Sequence, residues 1–280
     1  ATDPAATKFR PPAANDEMAE LRRRVEQLQA QVGQSQAART PPAAAAPVNR
    51  LTARALVIGN GAYKQLGTLA NPRRDAMDMA AKLRGFGIEV DLVLDADRNA
   101  LVKALADHNR KATALDVNIL YYAGHGLQVG GINYIAPVDM LADGISSGYV
   151  KLNGVALNDA LDYLPARTRL VFLDACRDNP AVRTMVANRS VAAPGLAPIS
   201  ATSGTLISYA TRDGSVAEDG KGRNSPYTTA LLRHLDAPDD IAVVLRRVRQ
   251  SVMEATGNRQ EPWEYGSLVG DQLVLSRLVR

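Results

Sequence analysis

The sequence predicts an α/β fold, a mostly parallel central sheet of about six strands with helices on both faces. Three observations predict it. Short β-prone runs at Arg54–Gly59, Ile88–Leu94, Asp116–Ala123 and Leu170–Ala175 are dominated by apolar residues, the pattern of strands buried on both sides of a parallel sheet. Amphipathic stretches of helical period alternate with them, from Asn71 to Leu83 and from Asn99 to Ala114. Two of the runs then end on residues that carry chemistry, Gly124–His125–Gly126 and Cys176, at the edge where open α/β sheets build their sites.

Each element has a local reason. The first strand turns at Asn60–Gly61, and the missing glycine at Lys64 rules out a dinucleotide fingerprint around Gly59 and Gly61. Asn71 reads as the cap of the first helix, with Pro72 at its first position and Gly85 and Gly87 past its end. His108, among polar neighbours on the second helix, is expected at the surface. Gly130–Gly131 reads as a turn into a short strand at Ile132–Pro137, and Leu152–Leu164 as one helix. Thr205–Ala210 is the next strand, Thr228–Leu235 and Ile241–Ala255 are helices, and Leu273–Leu275 is expected to centre a last strand. His234, near a helix end, is expected to make a favourable contact with the helix dipole.

Outside this region the composition changes. Residues 1–38 read as a disordered N-terminus carrying one short helix, because Met18, Leu21, Val25, Leu28 and Val32 recur at spacings of three and four. That seam makes residues 16–34 a candidate for self-association. Residues 39–50, rich in Pro and Ala, form a linker. The folded domain spans 51–280: a large portion at 51–179, a connecting segment at 180–203 and a small portion at 204–280.

The 33 basic residues exceed the 29 acidic ones only slightly despite a pI near 9.2, and no basic tract is interleaved with aromatics, so no nucleic-acid partner is expected. No apolar run reaches the roughly 20 residues that span a bilayer, so no membrane is expected for this chain. A start at Ala1 favours an exported, processed protein over a cytoplasmic one.

Cys176 is the only cysteine, so it cannot form an internal disulfide. A histidine between two glycines is poorly explained as core, and two parallel neighbouring strands would bring His125 and Cys176 out at one edge. Tyr121–Tyr122–Ala123–Gly124–His125–Gly126 and Asp174–Ala175–Cys176–Arg177, with the histidine about 50 positions upstream of the cysteine, resemble the caspase-like cysteine peptidases of family C14, in particular their bacterial metacaspase/orthocaspase-like branch. Ala55–Tyr63 resembles that family's first strand and Asn224–Thr228 the opening of its late helix.

The resemblance implies a caspase-haemoglobinase-like fold and a cysteine endopeptidase with a Cys-His dyad. Cys176 would attack the peptide carbonyl, His125 would move the proton, and the backbone amides of Gly126 and Cys176 would form the oxyanion hole. Substrates would be peptides or proteins. Asp75 and Asp174 match positions where metacaspases place pocket carboxylates, which implies an S1 pocket for Arg or Lys; Asp178, Asp213 and Asp219 are further sources of acidity. The corresponding connecting segment of the family is often cut, which makes Arg183 and Arg189 candidate self-cleavage sites. No metal ligand set or D-x-D-x-D-G run is present, so no cofactor is expected, with calcium left open by related proteins.

Two departures from the family keep other specificities open. Ala123 stands where many metacaspases carry a small hydroxyl residue. Arg177 follows the nucleophile as in caspases, where it would lower the thiol pKa but oppose a cationic side chain. Asp-specific cleavage, and a caspase-fold scaffold with little peptidase activity, are therefore the alternatives. A third reading, a serine hydrolase, would use Ser146 in Gly144-Ile145-Ser146-Ser147-Gly148, but no convincing strand precedes that serine and no convincing helix follows it.

Overall fold

The computed structural model describes residues 19–20, 22–29, 51–142, 145–176, 203–212 and 217–278, with Cys176 described by its backbone. The chain divides into two units, Ala1–Asn49 and Arg50–Arg280. In the first, residues 19–20 and 22–29 are helical and exposed, Val25 and Leu28 of the apolar seam included.

The second unit is built on one sheet. Its central path runs β2 (Glu89–Leu94), β1 (Ala53–Gly59), β3 (Val117–Val129), β6 (Thr168–Cys176), β7 (Thr205–Tyr209) and β8 (Trp263–Ser267). All neighbours on this path are parallel except β7 and β8. The far end of β3 continues beyond the parallel sheet to pair antiparallel with β4 (Ile132–Ile135), and β4 pairs with β5 (Val155–Ala156).

Apolar residues cover both faces, and alternation along each strand sorts them. Ala55, Val57, Ile119, Tyr121, Leu170 and Phe172 pack under α1 (Pro72–Gly85), α5 (Pro226–His234) and α6 (Ile241–Thr256). Leu56, Ile58, Leu120, Tyr122, Val171 and Leu173 pack under α2 (Arg98–Lys111) and α4 (Leu157–Asp162). The approach of α1 is close: a Cβ on Gly59 would lie 2.4 Å from the Pro72 carbonyl oxygen. Glycine is needed there because the helix start must sit directly over the strand end.

Several local expectations are corrected. Leu152–Leu164 is not one helix: α3 (Ser147–Asn153) ends before Gly154, β5 follows, and α4 restarts at Leu157. The reason is tertiary, since β4 offers an open edge to Val155 and Ala156. Leu273–Leu275 is not a strand; Leu275–Arg277 is a 3-10 turn, and the last strand is β8, whose Trp263-Glu264-Tyr265-Gly266-Ser267 has only weak alternation. Asn71 makes no side-chain cap: its Oδ1 accepts from the Arg74 guanidinium instead, while its NH2 donates to the Asp219 carbonyl. His108 is fully buried, with Nδ1 3.0 Å from Asp91 Oδ2 and Nε2 2.8 Å from Asn118 Oδ1. His234 bonds Ser251 Oγ, and burial, then Arg233 and Arg247, push its pKa down, so it is no cationic partner of the helix dipole.

Candidate active site

Parallel pairing of β3 and β6 sets the site. In their register Ala123 lies opposite Asp174, Gly124 opposite Ala175, and His125 opposite Cys176, the last residue of β6. Gly126 follows, opposite Ile135 of β4. The two residues expected to form the dyad thus have adjacent backbones at the carboxyl edge.

The His125 imidazole is 4% exposed and anchored on one side. Its Nε2 lies 2.9 Å from the carbonyl oxygen of Gly67, in the loop between β1 and α1. A carbonyl can only accept, so Nε2 carries the proton, and in the neutral ring Nδ1 holds the lone pair. Nδ1 is buried and has no partner among the described residues. Burial pushes the His125 pKa down, opposed by the Gly67 carbonyl and by the charge of Asp219. A mostly neutral ring with a free, oriented nitrogen is what a general base requires.

Beside the dyad two acids are buried without a cation among the described residues. Asp75, on the first turn of α1, is 1% exposed and accepts from the Ser225 amide at 3.1 Å. Asp174, on β6, is 8% exposed and accepts from the hydroxyls of Ser225 and of Thr228, the latter at 2.7 Å. Ser225 also caps α5 by accepting from the Thr228 amide at 2.9 Å. Both acids have raised pKa values. For Asp75 burial dominates and the charge of Asp174 adds to it; for Asp174 burial outweighs the two hydroxyl donors. Two carboxyls so placed hold a proton between them into the neutral range unless a cation arrives.

Asp219 lies in the loop before α5. Its carboxylate accepts from the Ala70 amide at 2.8 Å, and its charge raises the pKa values of Asp75, Asp174 and His125. The other residues named from sequence fall elsewhere. Arg177, Asp178, Arg183, Arg189 and Asp213 lie outside the described residues. Ser146 has a helix after it but, among the described residues, no strand leading into it, and its hydroxyl caps α3 by accepting from the Tyr149 amide at 3.1 Å. Among the described residues no cluster of three or more His, Cys, Asp or Glu side chains could hold a metal. No helix among them is long and apolar enough to cross a membrane.

Sequence reasoning missed the Gly67 carbonyl, because a backbone oxygen leaves no residue signature. It also missed Ser225, although a serine before Pro226 is a helix-start signal that could have marked it.

Comparison with known proteins agrees with this architecture. No curated protein matches the chain. Among solved structures, a Geobacter sulfurreducens protein superposes with a TM-score of 0.55 at 20% identity, covering 79% of this chain and 95% of its own. The Drosophila initiator caspase Dronc superposes with a TM-score of 0.58 at 11% identity, covering 81% of this chain and 85% of its own. Identities this low speak for the fold alone. The family described as the caspase domain, peptidase C14, matches residues 52–273, from β1 to beyond β8, and the chain therefore belongs to the caspase-domain family of cysteine peptidases.

Proposed function

We propose that the protein is a cysteine endopeptidase that cleaves after Arg or Lys through a Cys176–His125 dyad. The observation that carries the reading is an oriented His125, Nε2 tied to Gly67 and Nδ1 unpartnered among the described residues, on the strand position opposite Cys176. In the first step Nδ1 takes the thiol proton and the sulfur attacks the carbonyl carbon. The amides of Gly126 and Cys176 stabilise the oxyanion, and imidazolium returns the proton to the leaving amine. Water, deprotonated by the same nitrogen, then hydrolyses the thioester and frees Cys176. No metal takes part in these steps, and calcium is not required by them.

Preference for a basic side chain is supported by Asp75 and Asp174, two buried acids lacking a cation among the described residues, with Asp219 close enough to add to their field. A guanidinium or ammonium would favour the ionised form of both and gain charge-assisted hydrogen bonds in a site shielded from water. Such an enzyme would cut its own connecting segment after Arg183 or Arg189, and residues 16–34 would associate copies of the chain through the apolar seam, of which Val25 and Leu28 are exposed. The metacaspase-like branch and export fit the same reading.

A second reading, a latent or scaffolding caspase fold, is favoured by one observation: Asp75 and Asp174 are so deeply covered that a substrate cation reaches them only if their neighbours move. Matched fluorogenic peptides ending in Arg, Lys or Asp, assayed with wild type and Cys176→Ala, separate the two. Cleavage after Arg or Lys that vanishes in the variant supports the peptidase. Cleavage after Asp overturns the basic preference, and silence on all three, with and without calcium, supports the scaffold.

A further inference from the structure

His125 is held at its backbone as well as at its ring. Its amide donates to the Tyr63 hydroxyl at 2.8 Å, and its carbonyl accepts from the Tyr122 hydroxyl at 2.6 Å. The two hydroxyls are 3.1 Å apart. Proton bookkeeping orders this set. Tyr122 spends its proton on the short bond to the His125 carbonyl, and Tyr63, whose oxygen accepts from the His125 amide, has its own proton to share between the Tyr122 oxygen at 3.1 Å and the Ala136 carbonyl at 3.3 Å. With the Tyr63 proton on its nearer acceptor, the Tyr122 oxygen, the bonds close a ring: His125 N–H to Tyr63, Tyr63 O–H to Tyr122, Tyr122 O–H back to His125 C=O.

The same tyrosine also meets the imidazole, with ring centroids 4.4 Å apart and planes tilted by 53°. Gly124 makes room for the arrangement. Its φ of 154° lies where a side chain is rarely found, and a Cβ there would sit 2.6 Å from both hydroxyls. The Tyr63 and Tyr122 side chains are buried, and the closed ring shields the polar groups of the one histidine whose orientation the chemistry depends on.

We infer that Tyr63 and Tyr122 are positioning residues for His125: their hydroxyls lock its backbone in a closed hydrogen-bond ring, while the Tyr63 ring sets the face and angle of the imidazole. The inference rests on the dyad reading. Tyr63 lies in the turn region after β1, and Tyr122 on β3 three residues before His125. The two therefore tie the histidine both to the loop that carries Gly67 and to its own strand. A small displacement of the general base is costly, since an ångström can lose about a hundredfold in rate.

Because Cys176 is the only cysteine, its alkylation by iodoacetamide reads the dyad without any substrate. The rate is followed against pH in wild type, His125→Gln, Tyr63→Phe, Tyr122→Phe and Leu245→Val. The last loses core packing on α6, far from the hydroxyl ring in the sequence and on another element, and controls for stability. The expected result is that His125→Gln and Tyr63→Phe each slow alkylation near pH 6 by about tenfold, with the thiol titrating closer to its ordinary value. Tyr122→Phe, whose His125 carbonyl keeps the Ala136 amide at 3.1 Å, slows it less, and Leu245→Val leaves the profile unchanged. If peptides are cleaved, Tyr63→Phe lowers kcat about ten- to a hundredfold with KM unchanged. A profile that falls in His125→Gln but stays at wild type in folded Tyr63→Phe and Tyr122→Phe overturns the inference alone. A profile that does not change in His125→Gln overturns the dyad reading and the inference with it.

Discussion

Two acidic sites sit at opposite edges of the same sheet, and only one is neutralised within the described chain. At the amino edge Asp91 of β2 receives Arg54 Nε at 3.0 Å, Lys111 Nζ at 2.8 Å and His108 Nδ1 at 3.0 Å. Burial pushes its pKa up, but hydrogen bonds from Arg54, Lys111 and His108 outweigh it and hold the carboxylate below its usual range. At the carboxyl edge Asp75 and Asp174 have, among the described residues, only neutral donors from Asn224, Ser225 and Thr228, and their pKa values rise. The same side chain is thus a paired anion where cations surround it and an acid of raised pKa where, among the described residues, none does. An acid without a cation among the described residues adds no stability by ion pairing, and this difference between the two edges is testable.

The largest effects test whether the carboxyl edge is a reaction centre at all. Cys176→Ala or His125→Ala should lower peptide cleavage by about a thousandfold or more, measured as kcat/KM, with the fold unchanged by circular dichroism. Asp75→Asn should cut kcat/KM for Arg and Lys peptides by about a hundredfold while sparing labelling of Cys176 by a small electrophile.

Stability should move in opposite directions at the two sites. Asp91→Asn removes the more buried of the two carboxylate partners of Arg54, whose side chain is only 13% exposed, and should destabilise by about 2–4 kcal/mol without altering cleavage. Asp75→Asn removes a buried acid with no cation among the described residues and should stabilise at pH 8 by about 1–2 kcal/mol, read from urea midpoints.

The pH dependence follows from the same signs. Asp75 and Asp174 have folded pKa values above the unfolded ones, so their contribution is complete below about pH 4 and is lost as pH rises through the raised values. Asp91, with a lowered value, contributes above about pH 4 and loses that contribution as pH falls through it. Wild type should therefore weaken between pH 5 and pH 8, and Asp75→Asn should flatten that limb. Over the same interval KM for Arg peptides should fall, because the deprotonated pair binds a cation better. The smallest effect belongs to Ser146→Ala, which should cost about 0.5–2 kcal/mol through loss of the α3 cap and leave cleavage untouched.

Much of the architecture was legible because parallel strands buried on both faces write themselves as apolar runs, and β1, β3, β6 and β7 follow that rule, whereas β2, at the sheet's edge, is only partly covered. The elements that were misread depend on a partner. β5 exists because β4 has a free edge, and β8 because β7 does; neither run has strong periodicity of its own. His108 looked like a surface residue because its neighbours in sequence are polar, whereas Asp91 and Asn118, which justify its burial, come from other strands. The sequence marks Asp75 as a pocket carboxylate by resemblance alone; its burial depends on contacts such as that with Ser225, which arrives from 150 residues away.

What the sequence determined by itself was local: which runs become strands, where helices begin, and which residue types, one histidine between glycines and one cysteine, stand at strand ends. Those follow from periodicity and backbone freedom, which need no knowledge of distant contacts. Tertiary structure alone decided the environment of each group. It put Gly67 behind His125, closed two tyrosine hydroxyls around the histidine's backbone, and gave cations to Asp91 while supplying Asp75 and Asp174 only neutral donors among the described residues. Protonation, orientation and reactivity depend on burial and on partners from separate segments, and only the folded chain brings those together.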